Sequence, residues 1–152
     1  GCSVREYFER EGEDRFRDLE SEVLADLCHN HHGVLSTGGG SVLRPINRER
    51  LRQHGHVFYL RSSPEEVFRR LRNDQNRPLL QVADPQARLR ELLEVRDPLY
   101  RETAHYVIET GRPNVAGLVN MIVSQLELAG HIQPVSPPAP ADRPRVSPPH
   151  RN

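Results

Sequence analysis

The chain has 152 residues, of which 36% are hydrophobic, and this is enough for one domain with a buried core. Acidic and basic residues number 21 each, and the resulting zero formal charge argues against nucleic acid as a partner. No apolar run approaches the ~18 residues of a membrane span, and Cys2 and Cys28 lack any pairing spacing, so we predict a cytoplasmic protein with reduced thiols.

Two helices are predicted before the first strand. Ser3 and Glu6 have the spacing of a capping box, which begins the first helix, and a glycine directly before residue 13 ends it. The second helix covers about residues 13–28 and has an apolar stripe at helical spacing. Arg17 and Glu20 lie three residues apart on the flank of this stripe, where they are close enough to form an ion pair.

The stretch that follows is the centre of the sequence. Residues 34–36 favour a strand, and Gly38, Gly39 and Gly40 come directly after it. Glycine permits a positive φ and close approach of the backbone to a ligand, and the carboxyl ends of strands are where open α/β sheets bind ligands. A flexible turn is the alternative interpretation, and the neighbouring arginines have to decide between the two.

Helices and apolar strands alternate through the rest of the chain. The strand at 56–60 is apolar enough to be buried on both faces. The helix capped by Asn114 has an apolar stripe that predicts burial. The predicted elements are a helix at about 47–53, a strand at 56–60, a helix beginning at Ser63, a helix from Asp84 to about Arg96 that Asp97 and Pro98 end, a strand at 106–109, and a helix capped by Asn114.

This alternation predicts an α/β fold, in which helices cover both faces of a parallel sheet. We assign the domain to residues 1–130. Within it, residues 73–83 have no periodicity and predict a loop of functional length. Residues 131–152 hold seven of the thirteen prolines and no aromatic residue, which predicts a disordered tail rather than a polyproline ligand.

Three arginines accompany the glycine triplet as candidates for binding an anionic ligand. Arg17 precedes the triplet, Arg77 lies in the predicted loop, and Arg96 directly precedes Asp97 and Pro98. The planar fork of arginine matches the oxygens of a carboxylate or a phosphate. For each arginine alone, a solvated charge or a surface ion pair is the simpler interpretation, so the order of the motifs carries the argument.

Four motifs in a fixed order resemble the shikimate kinase family, over residues 3 to about 128. They are Phe16-Arg17-x-x-Glu20, Thr37-Gly38-Gly39-Gly40, Arg77-Pro78-Leu79-Leu80 and Arg96-x-Pro98-Leu99-Tyr100. The resemblance implies a three-layer α/β/α parallel sheet of the P-loop, nucleoside-monophosphate-kinase type. It also implies transfer of a phosphoryl group from ATP, which would bring its own Mg²⁺, to the 3-hydroxyl of shikimate.

The resemblance also implies a role for each matching residue. Arg17 and Arg96 would grip the carboxylate of shikimate, Glu20 would hold Arg17 in place, and the backbone N–H groups of the triplet would face the ring hydroxyls. The remaining residues belong to the nucleotide side: Arg77 on a mobile lid over the phosphates, and Arg70, Arg112 and Pro113 beside the adenine.

This sequence departs from the family at its beginning. The family opens with a strand, a Gly-x-x-Gly-x-Gly-Lys-[Ser/Thr] loop and a second strand that carries a substrate-binding aspartate. This chain matches none of them, and all of its basic residues are arginines, so it has no phosphate-binding lysine. We therefore expect a fragment that lacks the first two strands, is inactive alone and leaves strand edges unpaired, whereas the complete protein would be a monomer.

Two other functions are weighed against this one. A gluconate-kinase-like enzyme would share the fold, but two arginines that clamp a carboxylate beside a glycine triplet favour shikimate. A non-catalytic binding protein would have no use for Arg77 on a lid. His29, His31 and His32 could suggest a metal site, but they follow a helix end where histidine is also favourable, so no metal ligand is assigned.

Overall fold

The computed structural model describes residues 1–71, 82–111 and 114–133. The chain divides into two units, residues 1–113 and 114–152. The first unit contains α1 (Val4–Asn30), α2 (Pro45–His54), β1 (Phe58–Arg61), α3 (Pro64–Leu71), α4 (Pro85–Thr103) and β2 (Tyr106–Glu109), and the second contains α5 (Val115–Leu128). The predicted lid at 73–83 and the predicted tail at 131–152 lie for the most part outside the described residues.

Side-chain caps begin four of these helices at the predicted residues. Ser3 and Glu6 form both hydrogen bonds of the capping box at the start of α1, with the Ser3 N–H 2.7 Å from a Glu6 carboxylate oxygen. The other three caps each accept from a backbone N–H three residues later: Ser63 at 3.2 Å, Asp84 at 2.9 Å and Asn114 at 2.7 Å. These bonds satisfy N–H groups that have no partner inside the helix.

The two predicted N-terminal helices form one element with a kink between them. Gly12 has φ +83° and ψ 173°, which is not a helical conformation and is rare for residues with a side chain. The predicted break at this glycine is confirmed.

Helix α4 shows that one predicted helix end was wrong. The helix passes through Pro98 and ends at Thr103, seven residues beyond Arg96. Proline removes one helical hydrogen bond and normally ends or kinks a helix. Here the turn that contains Pro98 is held from outside, since Asp97 is bonded to β1 and Tyr100 to the glycine triplet. Contacts with distant residues offset a local preference.

The strands β1 and β2 pair in parallel, with Phe58 opposite Tyr106 and their rings stacked at 4.7 Å. Ile108 is 4% exposed and belongs to the core, together with Leu24, Val42, Leu51 and Leu89. The prediction that the first strand of the pair is buried on both faces was wrong, because Leu60 is 44% exposed.

Residues 34–36 do not form the predicted strand, and Val34 is fully exposed. A strand needs a neighbour to complete its hydrogen bonds. In the described part of the chain the sheet consists of β1 and β2, and neither pairs with this segment. The apolar sequence of residues 34–36 therefore favours a strand, but no described strand lies beside it to form the hydrogen bonds that a strand requires.

Helix α5 has its predicted cap but not its predicted burial. No side chain of α5 is buried, and Val115 and Val119 are 77% and 51% exposed. An apolar stripe is buried only where a second surface covers it, so the stripe alone does not determine burial. No helix of the described residues is long and apolar enough to cross a lipid bilayer.

Candidate functional site

Helix α1 contributes the predicted pair of Arg17 and Glu20. Nη1 of Arg17 donates to Glu20 Oε2 at 2.7 Å, and the side chains are 10% and 15% exposed. Nη2 is 3.4 Å from Oε1 of Glu13, and the ring of Phe16 lies 5.1 Å from the guanidinium carbon. Nε of Arg17 is buried and has no hydrogen-bond partner among the described residues. The guanidinium is therefore held in place with donor capacity to spare.

Ser41 connects this pair to the glycine triplet. Its side chain is buried, and Oγ donates to the second carboxylate oxygen of Glu20 at 2.9 Å. Glu20 thus accepts from Arg17 with one oxygen and from the residue after the triplet with the other. Ser41 was not predicted as a site residue, and its only signal in the sequence is a hydroxyl directly after three glycines.

The three glycines form a turn whose carbonyl groups are all occupied. The carbonyl oxygen of Gly38 accepts from the N–H of Ser41 at 3.1 Å, and that of Gly40 from the N–H of Leu43 at 3.0 Å. The carbonyl oxygen of Gly39 accepts from the hydroxyl of Tyr100 at 2.6 Å. Within residues 1–71, 82–111 and 114–133, no group accepts from the three glycine N–H groups. The turn therefore presents N–H donors, while each of its carbonyl groups already accepts one hydrogen bond.

Both predicted arginines lie directly against this turn. A Cβ at Gly40 would be 2.5 Å from Cζ of Arg17, and a Cβ at Gly39 would be 3.6 Å from Nη1 of Arg96. None of the three glycines has a positive φ. Glycine is required here for close approach, and the positive φ that the sequence analysis also considered is not used.

Tyr100 lies against the turn beside Arg96. Its ring contacts that of Tyr59 with centroids 4.9 Å apart, and a Cβ at Gly39 would be 2.9 Å from its hydroxyl. Burial raises the pKa of Tyr100, and the charge and hydrogen bond of Arg96, together with the charge of Arg17, offset only part of that effect. The hydroxyl is therefore a proton donor at neutral pH. Tyr100 belongs to the last of the four motifs, but no role was predicted for it from the sequence.

Asp97, directly after Arg96 in α4, connects this helix to β1 through hydrogen bonds. Oδ1 accepts from the Tyr59 hydroxyl at 2.9 Å and from Nε of Arg61 at 3.2 Å, and Oδ2 accepts from Nε of Arg101 at 2.7 Å. Burial works to raise the pKa of Asp97, but the hydrogen bonds from Arg101, Tyr59 and Arg61 outweigh it, so the pKa is lowered. Asp97 is thus held as an ionised carboxylate next to Arg96.

Of the residues predicted for the nucleotide side, the structure describes Arg70. Arg70 is exposed in the last turn of α3, and Arg77, Arg112 and Pro113 lie outside the described residues. A cleft of about 490 Å³ opens where β1 and β2 end, the edge at which open α/β sheets bind ligands. It is lined by Arg61, Ser62, Ser63, Pro64, Glu66, Glu109 and Gly111.

Among the histidines near the end of α1, His29 lies against the backbone of its own helix. Nδ1 of His29 lies 2.7 Å from the carbonyl oxygen of Ala25, one turn earlier in the helix. The described residues contain no group of three or more His, Cys, Asp or Glu side chains that could hold a metal ion.

Comparison with known proteins identifies the family. The family model for shikimate kinase matches residues 1–127. A shikimate kinase of Ralstonia nicotianae is 52% identical over 94% of this chain and 75% of its own length. One of Paracidovorax citrulli is 59% identical over 90% and 76%.

A solved structure has a similar fold. The shikimate kinase from Acinetobacter baumannii in complex with shikimate superposes with a TM-score of 0.79 at 44% identity, over 88% of this chain and 74% of the other. A shikimate kinase from Bacteroides thetaiotaomicron has a TM-score of 0.70 at 30% identity. The chain belongs to the shikimate kinase family and has the P-loop, nucleoside-monophosphate-kinase-like α/β fold of that family.

Proposed function

We propose that this chain binds shikimate between Arg17, the glycine turn and Arg96, as a phosphotransferase that converts ATP and shikimate to ADP and 3-phosphoshikimate. The supporting observation is the turn itself, whose three carbonyl groups are occupied and whose three N–H groups have no acceptor among the described residues. Such a surface favours a ligand rich in oxygen atoms, and the two flanking arginines favour an anionic one.

The charge of the site suits one carboxylate. Glu20 balances Arg17, whereas no acid in the described part of the chain pairs with Arg96. Arg17 is paired with Glu20 and, at 3.4 Å, with Glu13, so Arg96 is the cation beside the turn that a carboxylate would pair with. Arg17 and Arg96 bind the shikimate carboxylate in this proposal, and Glu20 acts through Arg17 by fixing its guanidinium.

The N–H groups of Gly38, Gly39 and Gly40 donate to the ring hydroxyls of shikimate. These donors are neutral and fixed in the backbone, so they orient a hydroxyl without binding an isolated anion strongly. Positioning of this kind is the main requirement of phosphoryl transfer, because little covalent chemistry is left to the protein.

The proposed roles of the nucleotide-binding residues are inferred from the family to which the chain belongs. ATP is the phosphoryl donor, Arg77 stabilises the transferred charge from a lid at 73–83, and Arg70, Arg112 and Pro113 lie beside the adenine. Mg²⁺ arrives bound to ATP in this proposal. The shikimate-kinase-like domain is residues 1–130, the complete protein is a monomer, and the need for ATP leads us to expect it in the cytoplasm.

Calorimetric titration of shikimate into the full-length gene product tests the proposal. Arg17→Ala and Arg96→Ala should each weaken shikimate binding by about tenfold or more, because a charge-assisted contact is worth ~1.5–3 kcal/mol. Arg15→Ala and Arg88→Ala are matched controls on the same two helices, where both arginines are exposed and form i,i+3 pairs. Their affinities should stay within about twofold of the native value.

Two further titrations separate this function from its alternatives. ATP affinity should be unchanged in Arg17→Ala and Arg96→Ala, since both arginines belong to the other substrate. Gluconate should not compete with shikimate. Equal loss of ATP binding in both variants, or tighter binding of gluconate than of shikimate, would contradict the assignment.

A further inference from the structure

One hydrogen bond of the glycine turn comes from a distant part of the chain. The carbonyl groups of Gly38 and Gly40 are satisfied by the next few residues, whereas that of Gly39 accepts from Tyr100, sixty-one residues later. Tyr100 follows Arg96 by four residues, so both side chains project from the same face of α4. The bond therefore ties the turn to the helix that carries Arg96.

This bond also determines where the next N–H group points. The Gly39 carbonyl and the Gly40 N–H belong to one planar peptide and point in opposite directions. Tyr100 holds the carbonyl on the α4 side, so the Gly40 N–H points away from Tyr100. Because this peptide joins two glycines, few steric barriers prevent its rotation. Without an anchor it could present its carbonyl oxygen where the donor is needed.

Tyr100 is well fixed for this purpose. Its ring lies against that of Tyr59, and the hydroxyl of Tyr59 is bonded to Asp97 on α4. Asp97 in turn accepts from Arg61 of β1. Burial raises the pKa of Tyr100, so its hydroxyl keeps its proton and remains a donor at neutral pH. The anchor thus rests on the sheet through two separate contacts.

We propose that Tyr100 is a positioning residue, which fixes the peptide between Gly39 and Gly40 so that the Gly40 N–H faces the substrate. Tyr100 itself donates to the protein backbone, and its effect on the substrate passes through that peptide. The inference rests on the proposed function, because it takes the ligand of the turn to be a hydroxylated ring acid.

The test compares Tyr100→Phe with the native full-length protein. The variant keeps the ring against Tyr59 and removes the hydroxyl. Shikimate affinity should fall by about 3- to 10-fold, the value of one lost hydrogen bond. Cyclohex-1-ene-1-carboxylate, which has the carboxylate but no hydroxyl, should bind both proteins within about twofold of each other. Tyr106→Phe is the matched control, because Tyr106 lies in β2 and its ring stacks on that of Phe58 in β1, and it should leave both affinities unchanged.

The ratio of the two affinities distinguishes positioning from general damage. If the affinities of Tyr100→Phe for both ligands fall by the same factor, Tyr100 supports Arg96 or the fold in general. That result would overturn the proposal. Unchanged shikimate affinity in Tyr100→Phe would overturn it as well. If the native protein binds no shikimate while it binds another hydroxylated acid, the proposed function fails, and the same ratio is then measured with that acid.

A second measurement needs no variant. In the nitrogen–proton correlation spectrum of the native protein, shikimate should shift the Gly40 amide resonance strongly. The deoxy acid should shift it much less, and neither should move that of Gly12. An unmoved Gly40 amide at saturating shikimate would overturn the proposal even if Tyr100→Phe did not fold.

Discussion

The guanidinium of Arg17 and the α-carbon of Gly40 are in such close contact that no side chain fits between them. A Cβ at position 40 would lie 2.5 Å from Cζ of Arg17 and would overlap both terminal nitrogens. The guanidinium cannot move aside freely, because Glu20 holds it at 2.7 Å and the side chain is only 10% exposed. The proposed carboxylate site therefore depends on glycine at this position.

Gly40→Ala should displace Arg17 from Glu20 and weaken shikimate binding by about tenfold or more, as expected for a lost charge-assisted contact. Gly55→Ala is the control, since Gly55 lies outside the turn and its Cβ would be 3.5 Å from the nearest atom, an ordinary contact distance. Calorimetry on both variants checks the prediction. Equal affinities in the two variants would show that the guanidinium of Arg17 is free to move or does not contact shikimate.

Gly12→Ala should destabilise the protein without affecting the site. Gly12 has φ +83° and ψ 173°, a conformation that costs other residues roughly 1–3 kcal/mol. Gly55→Ala is the control, because Gly55 has φ −148° and its nearest atom to a Cβ would be 3.5 Å away. Urea unfolding measures both. A Gly12→Ala protein as stable as the Gly55→Ala protein would mean that the kink straightens at no cost.

Asp97→Asn should lower stability at neutral pH but not in acid. The pKa of Asp97 is lowered in the folded protein, so the folded state binds its proton less readily than the unfolded chain does. The resulting stabilisation is fully present above the ordinary value of 3.8 and disappears as the pH falls through the lower folded pKa. Because the partners of Asp97 are partly exposed, we expect Asp97→Asn to lower the free energy of unfolding by roughly 1 kcal/mol at pH 7.

Urea unfolding at pH 7, 5 and 3 measures the free energy of unfolding of Asp97→Asn and of the native protein. The difference between the two free energies should be constant from pH 7 to pH 5 and should become smaller at pH 3. A gap that keeps its full size in acid would assign the effect to the geometry of the amide, and the charge of Asp97 would then have no part in it.

Features that depend on neighbours within four residues were predictable from the sequence. The caps at Ser3, Ser63, Asp84 and Asn114, the break at Gly12 and the pairing of Arg17 with Glu20 all formed as expected. Such interactions are geometric consequences of one helical turn, so they need no knowledge of the fold. The order of the motifs also indicated the family, which the comparisons confirmed.

Only the tertiary structure decided how these parts meet. Helix α4 continues through Pro98 because Asp97 and Tyr100 are bonded to residues 36 to 61 positions away, and no local pattern contains those partners. Residues 34–36 and the stripe of α5 had the right composition for a strand and a buried face, but pairing and burial require a second surface. Ser41 and Tyr100 likewise belong to the site through hydrogen bonds to residues that are distant in the sequence. A side chain's nature is written in the sequence, whereas its neighbours across the fold are set by how the helices and strands pack.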